Sequence, residues 1–250
     1  MPIQILGVKP ADYNAVDHAA KDTAERWINR ISELFLTERS FQTQIGISEV
    51  GSDCRKCVAR KLAKRKKKPE GSWFPFIGTA VHASLEEGFG RWEMDYMLEN
   101  RLQVWEYKDL SLGGSCDMAA IHVDSDKLVV NDWKVVGEKA IKEAASGKIK
   151  NQYRIQAMLY GLGWRNKGYD VTHVALSFLP RDMNLDQAQV VMLRYDEQVA
   201  MTALASLKVM IDAAELIGWD DVIAKQPKAS FCWDCKKFEQ EEDGDISSLI

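Results

Sequence analysis

The stretch that decides the fold is residues 128–135, LVVNDWKV, which is typical of a strand whose apolar start leads to charged residues near its end. Asp132 and Lys134 stand two positions apart, so their side chains project from the same face of a strand. Asp117 ends the stretch GGSCD at 113–117, in the preceding strand of the same predicted hairpin. Charged groups at the end of a buried strand are costly unless they have partners. The pattern therefore predicts two carboxylates and one ammonium close together on one sheet face.

The rest of the chain predicts an α/β fold around this hairpin. Runs rich in β-formers alternate with segments whose apolar residues recur at helical spacing. The predicted strands are 102–110, 115–123, 128–135, 172–179 and 188–195, with a hairpin loop at 124–127. The predicted helices are 12–38, 48–68, 78–101 (with Thr79 as N-cap), 138–146, 149–165 and 196–217. We expect a mixed sheet of about five strands flanked by helices.

Composition indicates an ordinary globular protein. Of the 250 residues, 46% are hydrophobic and 28% are charged, which allows a sizeable core without disulfides. No stretch approaches the roughly 18 consecutive apolar residues of a membrane span, and the N-terminus lacks a basic segment followed by an apolar run. We therefore expect a cytoplasmic protein with no membrane partner.

The carboxylate–lysine group predicts a site for a hard metal ion. Asp117 and Asp132 offer oxygen ligands of the kind that Mg²⁺ or Mn²⁺ prefers. Such an ion polarises a phosphodiester and lowers the pKa of a bound water, and Lys134 can offset charge developing on the phosphate. His82, on a predicted helix, can complete the site. The alternative for the D-x-K pattern alone is a solvated strand edge.

The cysteines predict a second metal site. Cys54 and Cys57 form one C-x-x-C pair, and Cys232 and Cys235 form another. Four thiolates in this arrangement suit either a tetrahedral Zn²⁺ ion or a [4Fe–4S] cluster, and the spacing does not separate the two. Either would join the two ends of the core as a staple. The fifth cysteine, Cys116, is expected to be a buried core residue.

A basic segment begins at the first cysteine pair. Nine of the fourteen residues from Arg55 to Lys68 are Lys or Arg, on a chain whose net charge is −4. Such a patch predicts DNA contacts by phosphate binding, although a solvated basic face is the alternative. The side chains expected to make these contacts are Arg55, Lys56, Arg60 and Lys64. Trp73 and Phe74 follow; either could stack on bases, but packing into the core is expected for both.

In chain order, His82, GGSCD at 113–117, DWK at 132–134 and QAMLY at 156–160 resemble the PD-(D/E)xK nuclease superfamily. More narrowly, they resemble its RecB-like branch, which includes iron–sulfur exonucleases associated with CRISPR adaptation and AddB-type nucleases. The resemblance implies a restriction-endonuclease-like core. It also implies that His82, Asp117 and Asp132 bind metal, and that Lys134 is catalytic together with the two aspartates.

The same resemblance places Gln156 and Tyr160 beside the site, where they would contact the DNA backbone or hold the catalytic lysine. It favours [4Fe–4S] over zinc at the four cysteines. The chain departs from the branch in one respect, because the branch has one cysteine before the core and three after it. This chain has two cysteines before the core and two after it.

The function expected from these features is that of a Mg²⁺- or Mn²⁺-dependent DNA exonuclease acting in recombination, repair or phage DNA processing. Protein partners in a recombination or adaptation complex are also expected. One alternative is a non-catalytic DNA-binding or assembly subunit that retains the fold, and another is a zinc-stapled interaction protein. The predicted organisation is an N-terminal helical lead-in at 1–50, a nuclease domain at 51–238 and an acidic tail at 239–250.

Overall fold

The structure is a computed structural model that describes residues 9–34, 44–66, 73–91, 96–121, 127–232, 234–236 and 238. The helices are α1 (Ala15–Leu34), α2 (Ile47–Val50), α3 (Arg55–Leu62), α4 (Trp73–Gly90), α5 (Glu138–Ala145), α6 (Asn151–Asn166), α7 (Glu197–Ile217) and α8 (Trp219–Lys225). Within the described ranges, no helix combines the length and apolar character needed to cross a bilayer. The predicted acidic tail and, apart from Lys127, the predicted hairpin loop lie outside these ranges.

Among the described residues, five strands form one mixed sheet. They are β1 (Tyr96–Tyr107), β2 (Leu110–Ile121), β3 (Leu128–Val136), β4 (Val171–Pro180) and β5 (Gln189–Arg194), and they lie side by side in chain order. β3 and β4 are parallel, because α5 and α6 carry the chain back between them, and the other neighbours are antiparallel. The predicted mixed sheet flanked by helices is therefore confirmed.

Helix α6 is the central helix of the core. Residues 156–164 are buried on every side of the helix, which contacts β1, β3 and β4 as well as α7. Glycine allows part of this close approach, since a Cβ added at Gly163 would lie 2.9 Å from the Cβ of Leu102. The sheet and α6 are thus held at a short separation, and this fixes the height of the α6 side chains above β3.

Three local predictions are wrong. The predicted helix over 48–68 is two helices, because the chain breaks between α2 and α3. Thr79 is not an N-cap: α4 begins at Trp73, and the Thr79 hydroxyl donates to the carbonyl oxygen of Pro75 at 3.0 Å. β1 begins at Tyr96, inside the predicted helix 78–101, because pairing with β2 satisfies its backbone.

Residues 45–50, which precede the predicted nuclease domain, already belong to the hydrophobic core. Ile45, Ile47 and Val50 are 4%, 2% and 1% exposed and belong to the main hydrophobic cluster. The side chains of α2 therefore pack with the sheet and α6. The domain boundaries at 50 and 238 stay predictions.

Replacing Gly163 with alanine tests the close approach of α6 to β1. We expect Gly163→Ala to lower the free energy of unfolding by about 1–3 kcal/mol, because the new methyl group overlaps Leu102. The control is Gly78→Ala in α4, where an added Cβ meets no described atom within 4 Å. That change should instead stabilise by up to ~1 kcal/mol, since alanine favours the helix. Urea unfolding followed by circular dichroism measures both, and equal effects would contradict the packing described.

Candidate active site and four-cysteine site

The carboxylates of Asp117 and Asp132 meet where β2 and β3 part. The register between these strands runs from Ile121↔Leu128 to Met118↔Asn131 and ends there. Two residues beyond Asn131, the backbone N–H of Trp133 donates to Asp117 Oδ2 at 2.6 Å. A carboxylate therefore replaces the missing strand partner, as a buried N–H group requires. Both aspartates are buried, at 6% and 2% exposure.

Lys134, Asp132 and Gln156 form a closed hydrogen-bond network. The Lys134 ammonium contacts Asp132 Oδ2 and donates to Gln156 Oε1 at 2.8 Å. Gln156 Nε2 in turn donates to Asp132 Oδ1 at 3.1 Å. The amide of Gln156 therefore bonds both charged groups at once, which restricts their rotamers. Burial raises the pKa of Asp132 to about 6, against the lowering effect of the Lys134 charge.

Gln156 and Tyr160 face this network from α6, one helical turn apart. Both are 6% exposed, so neither side chain presents a surface to a DNA backbone. Burial and the negative charge of Asp132 raise the pKa of Tyr160, so its hydroxyl stays protonated beside Gln156. Of the two expected roles, DNA contact stays a prediction, and the burial of these side chains disfavours it. The geometry favours the other, in which Gln156 holds Lys134.

His82 reaches the site from the opposite side of the sheet. Helix α4 lies over β3, where Phe89 stacks on Trp133 and the His82 ring meets Trp133 edge-on, each at 5.7 Å between centroids. This contact brings His82 Nδ1 to 3.3 Å from Asp117 Oδ1. Burial alone would lower the pKa of His82, but the hydrogen bond to Asp117 and the charges of both aspartates outweigh it and raise the pKa.

Glu99 is a site residue that the sequence did not reveal. Leu98 pairs with Met118 and Asn100 pairs with Cys116, so Glu99 stands opposite Asp117 across β1 and β2. Its φ is 44°, an uncommon conformation for a residue other than glycine. The sequence assigned residues 78–101 to a helix, where Glu99 would be one of several solvated acids. Only the strand register identifies it.

One ligand atom from each of His82, Glu99 and Asp117 lies within 4.8 Å of the other two. Two carboxylates directly opposite each other repel, and a cation between them would relieve that repulsion. An imidazole with two carboxylates suits Mn²⁺ or Mg²⁺. The structure thus brings the predicted ligands His82 and Asp117 together, adds Glu99, and leaves Asp132 outside this group, beside Lys134.

The second metal site joins α3 to the C-terminal part of the chain. Cys235 Sγ lies 3.4 Å from Cys54 Sγ and 3.3 Å from Cys57 Sγ, and Cys57 Sγ lies 3.6 Å from Cys232 Sγ. All four sulfurs lie within 4.8 Å of one another. The predicted convergence of the two C-x-x-C pairs is therefore present in the structure.

The environment of these thiols suits a bound cation. Burial and hydrogen bonds within the cluster raise the pKa of Cys57, and burial is the main reason that the pKa of Cys235 rises to about 11. For Cys54, backbone hydrogen bonds at Ala229 and Cys57 overcome the effect of burial and lower the pKa to about 7. Four thiolates are not stable this close together without a positive ion among them.

The predicted DNA-binding residues of the basic segment do not share one environment. Arg60 is 1% exposed and its guanidinium lies over the Phe238 ring, 5.4 Å from the centroid. Arg55 donates to the Val50 carbonyl oxygen and to Ser206 Oγ, both at 2.8 Å. DNA contact stays a prediction for this segment, and the burial of Arg60 and the internal hydrogen bonds of Arg55 disfavour it for these two side chains. Lys64 is exposed and Lys56 is half-buried.

A surface cavity of about 550 Å³ lies beside the cysteine site and has a basic lining. Its lining residues are Lys56, Arg60, Arg65, Lys66, Asp220, Ile223, Ala224 and Phe238. Arg65 forms an ion pair with Asp220, so one of the basic side chains is already paired. The basic segment thus has an inner, structural part and an outer part that remains accessible.

Comparison with known proteins gives relatives by structure and none by sequence. No protein-family model matches the chain, and no curated protein matches it. A phage-related exonuclease from Haemophilus somnus 129PT is 15% identical, with a TM-score of 0.50 over 73% of this chain and 96% of that chain. Because the identity is this low, the likeness shows the fold, which is that of an exonuclease, and does not by itself show the activity.

Two further structures are similar at lower scores. SSO0001 is 13% identical, with a TM-score of 0.48 over 86% of this chain and 95% of that chain. The alkaline exonuclease LHK-Exo from Laribacter hongkongensis is 14% identical, with a TM-score of 0.45 over 72% of this chain and 96% of that chain. These scores are too low to add weight to the fold assignment.

Replacing Glu99 tests the ligand set. We expect Glu99→Gln to weaken Mn²⁺ binding at least about tenfold, because a charged ligand is lost. The same change should raise the melting temperature without added divalent metal, because it removes repulsion with Asp117. Glu106→Gln, an exposed position of the same strand, is the control and should change neither quantity. Titration calorimetry and thermal melts measure the two effects, and unchanged Mn²⁺ affinity would exclude Glu99 as a ligand.

A cysteine substitution tests the second site. Cys57→Ser should lose the bound metal and melt about 5 °C lower or more, because a structural metal contributes directly to folding. The control is Cys116→Ser, since Cys116 is buried but its sulfur accepts a hydrogen bond from the Trp164 indole at 3.4 Å, which a hydroxyl can also do. That variant should keep its metal. Elemental analysis and thermal melts give the answer, and full metal content in Cys57→Ser would contradict the site.

Proposed function

We propose that the protein is a metal-dependent deoxyribonuclease that hydrolyses phosphodiester bonds, with exonuclease action. The single observation that carries this proposal is the convergence of two groups at the parting of β2 and β3. One is the ligand group of His82, Glu99 and Asp117, and the other is the network of Asp132, Lys134 and Gln156. The exonuclease fold supports the choice among metal-dependent reactions.

Each group has a distinct task in this proposal. A divalent ion at His82, Glu99 and Asp117 would polarise the phosphodiester and lower the pKa of a bound water. Lys134 presents its ammonium where negative charge develops on the phosphate, and it is held ready by Gln156. Asp132 Oδ2 contacts only that ammonium among the hydrogen-bond donors of the described residues, so its carboxylate both orients Lys134 and balances its charge.

Asp117 links the ligand group to the strand. One oxygen accepts the Trp133 N–H and the other lies toward His82, so the carboxylate has a single orientation. A ligand that is fixed before the substrate arrives costs little reorganisation during the reaction. Gln156 and Tyr160 are positioning residues in this scheme, since they act on the substrate through other side chains.

We infer that the four cysteines hold one tetrahedral ion, such as Zn²⁺, in preference to the [4Fe–4S] cluster that the family resemblance favoured. With Zn–S bonds of about 2.3 Å, the sulfurs of a tetrahedral site are about 3.8 Å apart. The separations of 3.3–3.6 Å for three sulfur pairs support that arrangement. A four-iron cluster places each cysteine on a different iron, and so needs its sulfurs farther apart. About one zinc per chain and no brown colour after anaerobic purification supports this inference, whereas about four irons would overturn it.

The setting of the activity is also a proposal. DNA is the expected substrate, and the outer basic side chains Lys56, Lys64 and Lys66 offer phosphate contacts beyond the site itself. We propose recombination, repair or processing of phage DNA as the role, within a complex with protein partners. The alternative, a non-catalytic DNA-binding subunit, predicts binding of DNA without cleavage.

Substitution of Lys134 decides between a catalytic nuclease and a non-catalytic DNA-binding subunit. We expect Lys134→Ala and Asp132→Ala to abolish Mg²⁺- or Mn²⁺-dependent cleavage, a loss of at least about 10³-fold, because the charge at the phosphate is no longer balanced. Lys127→Ala, at an exposed position just before the same strand, should retain full activity. End-labelled linear DNA and covalently closed circular DNA are the substrates, and circular dichroism checks the fold. Cleavage of the linear form alone supports exonuclease action; normal cleavage by Lys134→Ala would refute the assignment.

A further inference from the structure

Two side chains, the exposed Phe74 and the half-buried Arg181, meet just past the C-terminal end of β3. The guanidinium of Arg181 lies over the ring of Phe74, 3.9 Å from the centroid. Phe74 is 58% exposed and its neighbour Trp73 is 52% exposed, so the expected packing of both into the core is wrong. Singly exposed aromatic side chains are common on protein surfaces, and the guanidinium stacked on the ring is what distinguishes Phe74.

The pair lies on the same side of the molecule as the metal ligands. The backbone N–H of Arg181 donates to the carbonyl oxygen of Val136 at 2.8 Å, and Val136 is only two residues beyond Lys134 in β3. Along α4, Phe74 and His82 are eight residues apart, which is about 12 Å at 1.5 Å per residue. Two separate elements, β3 and α4, therefore lead from the candidate active site to this pair.

The surface between them leaves room for an extended ligand. Gly78 lies on α4 midway between Phe74 and His82, and a Cβ added there would meet no described atom within 4 Å. Arg181 makes no ion pair among the described residues. Its charge is therefore available to a ligand while its plane remains stacked on Phe74.

The chemistry of the pair fits a nucleic-acid strand. An exposed aromatic ring stacks on any base, and a neighbouring guanidinium binds the phosphate. A distance of about 12 Å corresponds to about three to four nucleotides of a stacked strand, at 3.4 Å per nucleotide. A protein partner would also cover apolar surface, but the free arginine and the continuity with a candidate phosphodiester site favour the strand.

We propose that Phe74 and Arg181 form a stacking subsite, in which a base three to four nucleotides from the scissile phosphate stacks on Phe74 and its phosphate binds Arg181. The subsite rests on the proposed function, because it takes the strand that the metal site would cut. It would hold the strand in register with the site independently of base sequence, since every base has a stacking face.

Binding without catalysis tests the subsite. Single-stranded oligonucleotides carrying 2-aminopurine at one position at a time are titrated with the full chain in buffer without added divalent metal. In the natural protein, fluorescence should be quenched strongly at one position, and Phe74→Ala should abolish that quenching. Phe74→Ala should also weaken binding about 5- to 150-fold. Phe74→Trp keeps an aromatic ring at this position and should bind the oligonucleotide as the natural protein does. Phe231→Ala, at a side chain 68% exposed, is the matched control and should change nothing.

Two further measurements separate stacking from general damage. An abasic residue at the quenched position should weaken binding of the natural protein as much as Phe74→Ala does, and the two changes together should add little. Arg181→Ala should reduce the slope of log affinity against log salt by about one, whereas Phe74→Ala leaves that slope unchanged. Additive losses, or equal salt slopes for all variants, would overturn the subsite.

The outcome is distinct from that of the cleavage test. If the natural protein binds and shows the single quenched position but cuts nothing, the subsite stands and the catalytic proposal fails. If it cuts DNA while Phe74→Ala binds as well as the natural protein, the nuclease stands and the subsite is wrong. If the natural protein binds no oligonucleotide, the subsite is refuted, and a protein partner for the aromatic surface is then sought.

Discussion

The hydrogen bond from the Trp133 N–H to Asp117 is the interaction on which the rest of the site depends. It occupies the position where the β2–β3 ladder stops, and so it lets two strands separate without leaving a buried donor unpaired. Carboxylates from both strands lie at this point, where His82 reaches them from α4 and Gln156 from α6. Without this one bond, the strands would either continue to pair and exclude a ligand or carry an unsatisfied backbone group.

The two faces of the sheet contribute different chemistry. From α6 come neutral polar groups, Gln156 and Tyr160, which are buried and hold charged side chains in place. From α4 comes His82, which is 28% exposed and lies on the accessible side. The strands themselves supply the charges. The buried side chains of α6 thus position the charged groups, whereas His82 is accessible to a ligand. The close approach at Gly163 fixes the distance of the α6 side chains from the sheet.

Much of this could be predicted from the sequence, because the relevant patterns are local. The spacing of Asp132 and Lys134 predicts that they share one face of a strand. The two C-x-x-C pairs predict a common metal site even though 181 positions separate Cys54 from Cys235. Glu99 could not be found, since its importance comes from strand register and not from its neighbours in sequence. Arg60 shows the converse, where a run of basic residues has a buried member because α3 turns one side toward the cysteines.

The four-cysteine site also constrains the order of events during synthesis. Cys54 and Cys57 leave the ribosome long before Cys232 and Cys235, so the sheet and α6 can form before the fourth thiol is available. Closing so long a loop carries a large entropic cost when the chain is unfolded and a small one when the sheet has already formed. A four-thiol site can therefore close only after the strands that carry the candidate active site have been synthesised.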